Sequence, residues 1–194
     1  QVFDGHDIFT VAEANGVAPE ELPQWVGEDG VFSMLFEFSH SNVEFTDDEI
    51  WCKASSWPLT KLKKALSASQ RATADNGWYP IFFENHDRNR CVNHYFPEGT
   101  DTQTAAKAMA TVLFGLRGTP FIYEGQELGM ANTAFERIED YNDISTHGQY
   151  QLALDEGLEP AEASKVVQFH SRDNARTPMQ WTTEAQAGFT TGTP

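Results

Sequence analysis

The chain is short of cysteine and of basic residues, and it has no long apolar run. Its only cysteines are Cys52 and Cys91, far apart and without a Cys-x-x-Cys spacing. Neither a disulfide framework nor a zinc site is signalled, so reduced thiols in the cytoplasm are the expectation. Lysine and arginine number 13 against 29 aspartates and glutamates, a formal net charge of −16. That balance repels phosphate backbones and anionic lipid, which argues against nucleic acid and membrane surfaces as partners. No apolar stretch approaches the roughly 20 residues needed to cross a bilayer. What remains is a globular composition over 194 residues, enough for one domain with an adequate core. The first residues after Gln1 already read as the middle of a domain.

Apolar runs of strand length alternate with helical patterns. Residues 7–12 and 31–38 are β-prone and end in polar residues, Glu13-Ala14-Asn15-Gly16 and Ser39-His40-Ser41. Between them, residues 19–26 fit one or two helical turns, limited by Pro23. Apolar residues return at helical intervals from Leu59 to Ala74, after Pro58, and again from Thr102 to Leu116, with Gly118 as the expected C-terminal cap. Strands are expected at residues 80–83 and 119–123, an irregular stretch at 132–147, a helix at 160–170 and a loop-like tail from Ser171. Strand and helix in regular alternation predict an α/β fold with parallel βαβ units. A doubly wound sheet and a (β/α) barrel both satisfy this pattern, although four units are half of what a closed barrel needs.

The richest stretch runs from Tyr79 to Arg90. A buried-strand pattern breaks off into Glu84, Asn85, His86, Asp87, Arg88 and Arg90. In parallel α/β proteins the first residues beyond the carboxyl end of a strand face the substrate. An ordinary polar turn is the plain alternative. Glu13 holds the equivalent place after the first strand, and Glu124 to Glu127 follow the fourth. Carboxylates gathered at one mouth can divide acid catalysis, a shielded one donating its proton while a solvated one stays charged. Trp25, Tyr79, Phe83, Tyr123 and Trp181 are candidates for stacking on apolar ring faces, though most aromatic residues belong to a core. A metal-dependent phosphohydrolase, with His86 and Asp87 joined by His40, His94 or His147, is disfavoured because these histidines lack close, regular ligand spacing.

Taken together, Phe9-Thr10-Val11-Ala12-Glu13, Glu84-Asn85-His86-Asp87, the run Gly118 to Met130 and Arg172-Asp173-Asn174-Ala175-Arg176-Thr177-Pro178-Met179-Gln180-Trp181 resemble the α-amylase superfamily, glycoside hydrolase family 13. Within it they are similar to the oligo-1,6-glucosidase, α-glucosidase and sucrose isomerase branch. The resemblance implies a (β/α)8 TIM barrel of which this chain supplies about strands 5–8, the C-terminal half. Residues 1–194 would then be a partial catalytic domain truncated at both ends, with 171–194 leading out of the barrel.

It also implies roles. Glu13 would be the general acid/base, with a raised pKa, and Asp87 the carboxylate that stabilises the transition state. His86, Arg176 and Arg172 would bind the same glucose, with Asn15 and Arg90 as further substrate-binding candidates. The substrate would be a short α-glucoside, without metal or other cofactor. The family's nucleophile, an aspartate in a motif like Gly-Phe-Arg-x-Asp, does not occur in the sequence, since neither Asp4 nor Asp7 has an arginine two residues before it. A retaining mechanism needs that aspartate, so the 194 residues alone are expected to be inactive. Three departures bear on specificity. Asn15 stands where 1,6-specific members often have Trp or Pro, Ser145 stands where Glu is frequent, and Arg88-Asn89-Arg90 faintly resembles the arginine-rich loop of sucrose isomerases. Glucosyl transfer or isomerisation, and a non-catalytic sugar-binding relative, are the alternatives to hydrolysis.

Overall fold

The computed structural model describes residues 5–46, 48–133 and 135–193; Asp4, named above, lies outside them. In order the chain forms β1 (Val11–Glu13), α1 (Leu22–Val26), β2 (Met34–Phe36), α2 (Leu59–Ala72), β3 (Pro80–Ile81), α3 (Cys91–His94), α4 (Thr102–Gly115), β4 (Thr119–Pro120), α5 (Ile144–Asp155) and α6 (Pro160–His170). Short 3-10 turns lie between several of these. The chain divides into two compact units, one of residues 1–49, 55–81 and 114–121 and the other of residues 50–54, 82–113 and 122–194.

The first unit holds the strands. β1 pairs parallel with β2, Val11 opposite Met34 and Glu13 opposite Phe36. β3 pairs parallel with β4, Pro80 opposite Thr119. Parallel pairing between strands joined through helices is the βαβ arrangement that the alternation predicts. The strands are shorter than the apolar runs. At the start of β1 the side chains take over from the ladder, with Thr10 N–H donating to Ser33 Oγ at 3.1 Å and Ser33 N–H to Thr10 Oγ1 at 2.9 Å. At the other end, Phe82 and Phe83 stay buried but leave the ladder. The core of this unit is Leu22 and Val26 of α1, Met34 and Leu35 of β2, Leu62 and Leu66 of α2, and Tyr79 and Ile81 around β3. The helical spacing of Leu62 and Leu66 aims one face of α2 inward.

Gly118 does not cap a helix: α4 ends at Gly115. Gly118 has φ +147, and a Cβ there would collide with the carbonyl of Tyr79. Glycine is needed because β4 begins against the backbone leading into β3.

In the second unit α5 and α6 pack against each other and against the 3-10 turn Trp51–Lys53. The stretch expected to be irregular contains the start of α5, which begins at Ile144. Asp143 caps it by accepting the Ser145 N–H at 3.1 Å. The signal was a capping one, Asp followed two residues on by Ser, with little helical periodicity behind it. The tail likewise contains the 3-10 turns Arg172–Ala175 and Ala185–Gly188.

Candidate active site

In the second unit the chain leaves β3 and turns sharply. The Asn85 side chain accepts the Asp87 N–H at 2.9 Å, an Asx turn that fixes the aspartate's backbone. Asp87 is partly exposed and meets two guanidinium groups on one oxygen. Arg176 Nη2 donates to Oδ1 at 2.7 Å, and Arg172 Nη1 reaches the same atom at 3.4 Å. The other oxygen, Oδ2, lies 3.5 Å from His86 Nε2, whose ring is well exposed. Arg176 also donates from Nε to the His86 carbonyl at 2.8 Å, which locks it to the strand-end loop. His86, Asp87, Arg172 and Arg176 are thus brought together although up to 90 residues separate them.

Arg90 does not join them. It is 1 % exposed, and its guanidinium is consumed inside the fold. It pairs with Glu84 at 3.1 Å, donates to the Glu124 carbonyl at 2.8 Å and to the Asn174 carbonyl at 3.3 Å, and lies over the Tyr123 ring. Glu84 is equally enclosed and also accepts the Cys91 N–H at 2.9 Å. A buried charge needs this degree of satisfaction. Arg90 is therefore a brace: it ties the loop after β3 to the loop after β4 and to the 172–176 segment that presents the two other arginines.

Sequence reasoning passed over Asp143. Its carboxylate is buried and accepts from Arg172 Nε at 2.9 Å and from Nη2, as well as from Thr146 Oγ1 at 3.0 Å. Burial opposes its ionisation, but the hydrogen bonds from Arg172, Thr146 and the Ser145 backbone outweigh it and hold the carboxyl below the usual aspartate range. Asp173 in turn accepts the backbone N–H groups of Asn142 and Asp143, at 2.7 and 3.0 Å. Ser145, the departure noted above, accepts from Arg172 Nη2 at 3.0 Å.

In the first unit Glu13 is the last residue of β1, with its side chain exposed. Asn15 is exposed as well and lines an open cleft of about 410 Å³ with Gly16, Asn42, Phe45, Thr46, Asp48 and Glu49. Asn42 donates to Glu49 Oε1 at 2.7 Å. Among the described lining residues there is no cation, and acceptor oxygens predominate. Of the aromatic candidates, Tyr79 and Phe83 are core residues, whereas Trp25 and Trp181 are exposed. Among the described residues no three His, Cys, Asp or Glu side chains come together to hold a metal ion, and no helix is long and apolar enough to cross a membrane. Both cysteines are free thiols.

A strand-end aspartate paired with two arginines, on a chain whose strands pair in parallel, places a fixed charge where α/β proteins commonly build their sites, just beyond the carboxyl end of a strand. The chain belongs to the family described as alpha amylase, catalytic domain, whose model matches residues 1–194, and the scaffold is that of the TIM-barrel enzymes of this family. Among curated relatives, a probable oligo-1,6-glucosidase of Bacillus subtilis strain 168 is 42 % identical over 99 % of this chain and 34 % of its own length. A trehalose-6-phosphate hydrolase of the same strain is 36 % identical over 100 % and 35 %. Among solved structures, the isomaltulose synthase of Klebsiella sp. LX3 superposes with a TM-score of 0.86 at 34 % identity, over 97 % of this chain and 34 % of that one. The chain therefore spans about a third of the length of the relatives it matches.

Proposed function

We propose that these residues form part, about strands 5–8, of the catalytic barrel of a retaining α-glucosidase that hydrolyses terminal α-glucosidic bonds of short, neutral oligosaccharides. The observation that carries this reading is the geometry around Asp87. Two guanidinium groups hold one of its oxygens, and the other remains open beside His86. A charge fixed in this way can accept hydroxyl hydrogen bonds from a distorted glucose while positive charge develops at the anomeric carbon. Arg176 and Arg172 keep the aspartate in place, and His86 offers a further hydrogen bond to the same sugar.

In this mechanism Glu13 gives its proton to the glycosidic oxygen as the bond to the anomeric carbon breaks and an aspartate of the Gly-Phe-Arg-x-Asp motif attacks that carbon. Glu13 then takes a proton from water, whose oxygen attacks the anomeric carbon and releases the aspartate.

The cleft beside Asn15 favours a neutral substrate over a phosphorylated one. Asp48 and Glu49 contribute like charge, and an acceptor-rich lining matches sugar hydroxyl donors better than a phosphate. The free thiols support a reducing compartment, the cytoplasm. Isomerisation of sucrose is the second reading, supported by the likeness to an isomaltulose synthase. The burial of Arg90 removes one of the two arginines that had pointed to it from sequence. The test is steady-state kinetics of the full-length enzyme with isomaltose, trehalose 6-phosphate and sucrose. Glucose release from isomaltose at a kcat/KM at least about tenfold above that for the phosphorylated disaccharide is the expected result. A preference for the phosphorylated sugar, or isomaltulose as the main product from sucrose, would replace this reading.

A further inference from the structure

We infer that Asp143 is a positioning residue: it holds the Arg172 guanidinium back from Asp87 and so keeps Asp87 open to a sugar. The inference rests on the role proposed for Asp87. Arg172 stands between two carboxylates and treats them unequally. It directs Nε and Nη2 to Asp143 Oδ1, but offers Asp87 only Nη1, at 3.4 Å, the outer limit of a hydrogen bond. An arginine free to choose would bind Asp87 through its planar fork, one N–H to each oxygen. With Arg176 already at 2.7 Å on Oδ1, such a fork would occupy the oxygen that otherwise faces His86 and the incoming hydroxyls.

The restraint is firm because Asp143 is itself immobilised. Its carboxylate accepts from the Ser145 N–H and the Thr146 hydroxyl in the first turn of α5, and its own N–H donates to Asp173 Oδ2. Ser145 adds a second hold on Arg172 at Nη2, at 3.0 Å. The N-terminus of α5 is thus the anchor for a side chain whose far end lies at the candidate catalytic carboxylate. Three carboxylates act on Arg172, those of Asp143, Asp87 and Asp173. Removing the charge on Asp143 takes away the one that Arg172 hydrogen-bonds most closely and shifts the balance on the guanidinium toward Asp87.

The test uses the full-length enzyme with Asp143→Asn, which keeps a good N-cap acceptor for α5 while losing the charge. The expected result is a fall in kcat/KM for isomaltose, and in affinity for glucose as a competitive inhibitor, of about tenfold or more, with the thermal midpoint little changed. In an Arg172→Gln background the same substitution is expected to cost less than about twofold, because no guanidinium remains to be released. Asp143→Glu, which retains the charge, should recover part of the loss. An equal loss in both backgrounds, or no loss in either, overturns the inference. A crystal structure of Asp143→Asn provides a readout independent of activity: Arg172 bound to both oxygens of Asp87 supports the restraint, and Arg172 unmoved rejects it. If the wild-type enzyme hydrolyses no α-glucoside, the functional reading fails, and the crystallographic result still decides the position of Arg172.

Discussion

Arg90 and Arg176 show how much the fate of one charged side chain depends on what it meets. Both lie in arginine-containing motifs, yet Arg90 is enclosed with Glu84 while Arg176 lies at the surface against Asp87. The Glu84–Arg90 pair is the residue-scale prediction. Truncating Glu84 to Ala leaves a buried guanidinium without its carboxylate and the Cys91 N–H without its acceptor, a loss of roughly 3–5 kcal/mol. Urea denaturation of the chain should register a drop of that size, whereas Arg176→Ala, at a partly exposed pair, should cost 1 kcal/mol or less on the scale of surface ion pairs. Equal losses for the two variants would contradict the assignment of Arg90 as a brace. The cluster of ionisable groups after Phe83 was legible as a polar loop. Which of its members face inward was not, because the groups that bury Arg90 come from Glu124 and from Asn174, 84 positions further on.

At the scale of elements, the first unit is tied together by a buried acid just beyond β2. Glu37 accepts from Ser69 of α2 and from the Tyr79 hydroxyl ahead of β3, each at 2.6 Å, and from the Ser39 N–H at 2.8 Å, with His40 Nδ1 3.8 Å away. Burial works against its ionisation, but the imidazole of His40 and these donors prevail and lower its pKa to about 2. Because the folded-state value lies below the ordinary 4.5, the charged form is the one that folding favours. Its contribution is complete above about pH 4.5 and is lost as the pH falls toward 2, with a ceiling of roughly 3 kcal/mol. Glu37→Gln should therefore be markedly less stable than wild type at pH 7, and the gap should close between pH 4.5 and 2 in denaturant titrations. A gap that stays constant with pH would show that the network does not depend on the charge. Strand and helix existence followed from periodicity, as for α2, α4 and α6. The helices that escaped were the short α3 and the longer α5, whose amphipathic signal is weak and whose start is defined by the Asp143 cap, so the importance of α5 to the site was hidden as well.

At the scale of the molecule, the 194 residues span about a third of the relatives they match, and the Gly-Phe-Arg-x-Asp motif is not among them. A retaining glycosidase without its nucleophile cannot form the glycosyl-enzyme intermediate. These residues expressed alone should release no glucose from isomaltose above the rate of a Glu13→Gln control, while the full-length enzyme does so. Enzyme-like turnover by the isolated chain would require a different nucleophile and a different mechanism.

By itself the sequence determined the α/β alternation, the polar ends of the strands, the family and the candidate residues Glu13, His86, Asp87, Arg172 and Arg176. These follow from local periodicity and from contiguous motifs, both of which are written in adjacent residues. Only the tertiary structure decided that Arg90 is enclosed, that Gly118 yields space to a strand rather than ending a helix, and that Asp143 takes hold of Arg172. Each of those outcomes depends on partners distant in the chain, and the burial or pairing of a polar group is set by the groups it finally touches rather than by its neighbours in sequence.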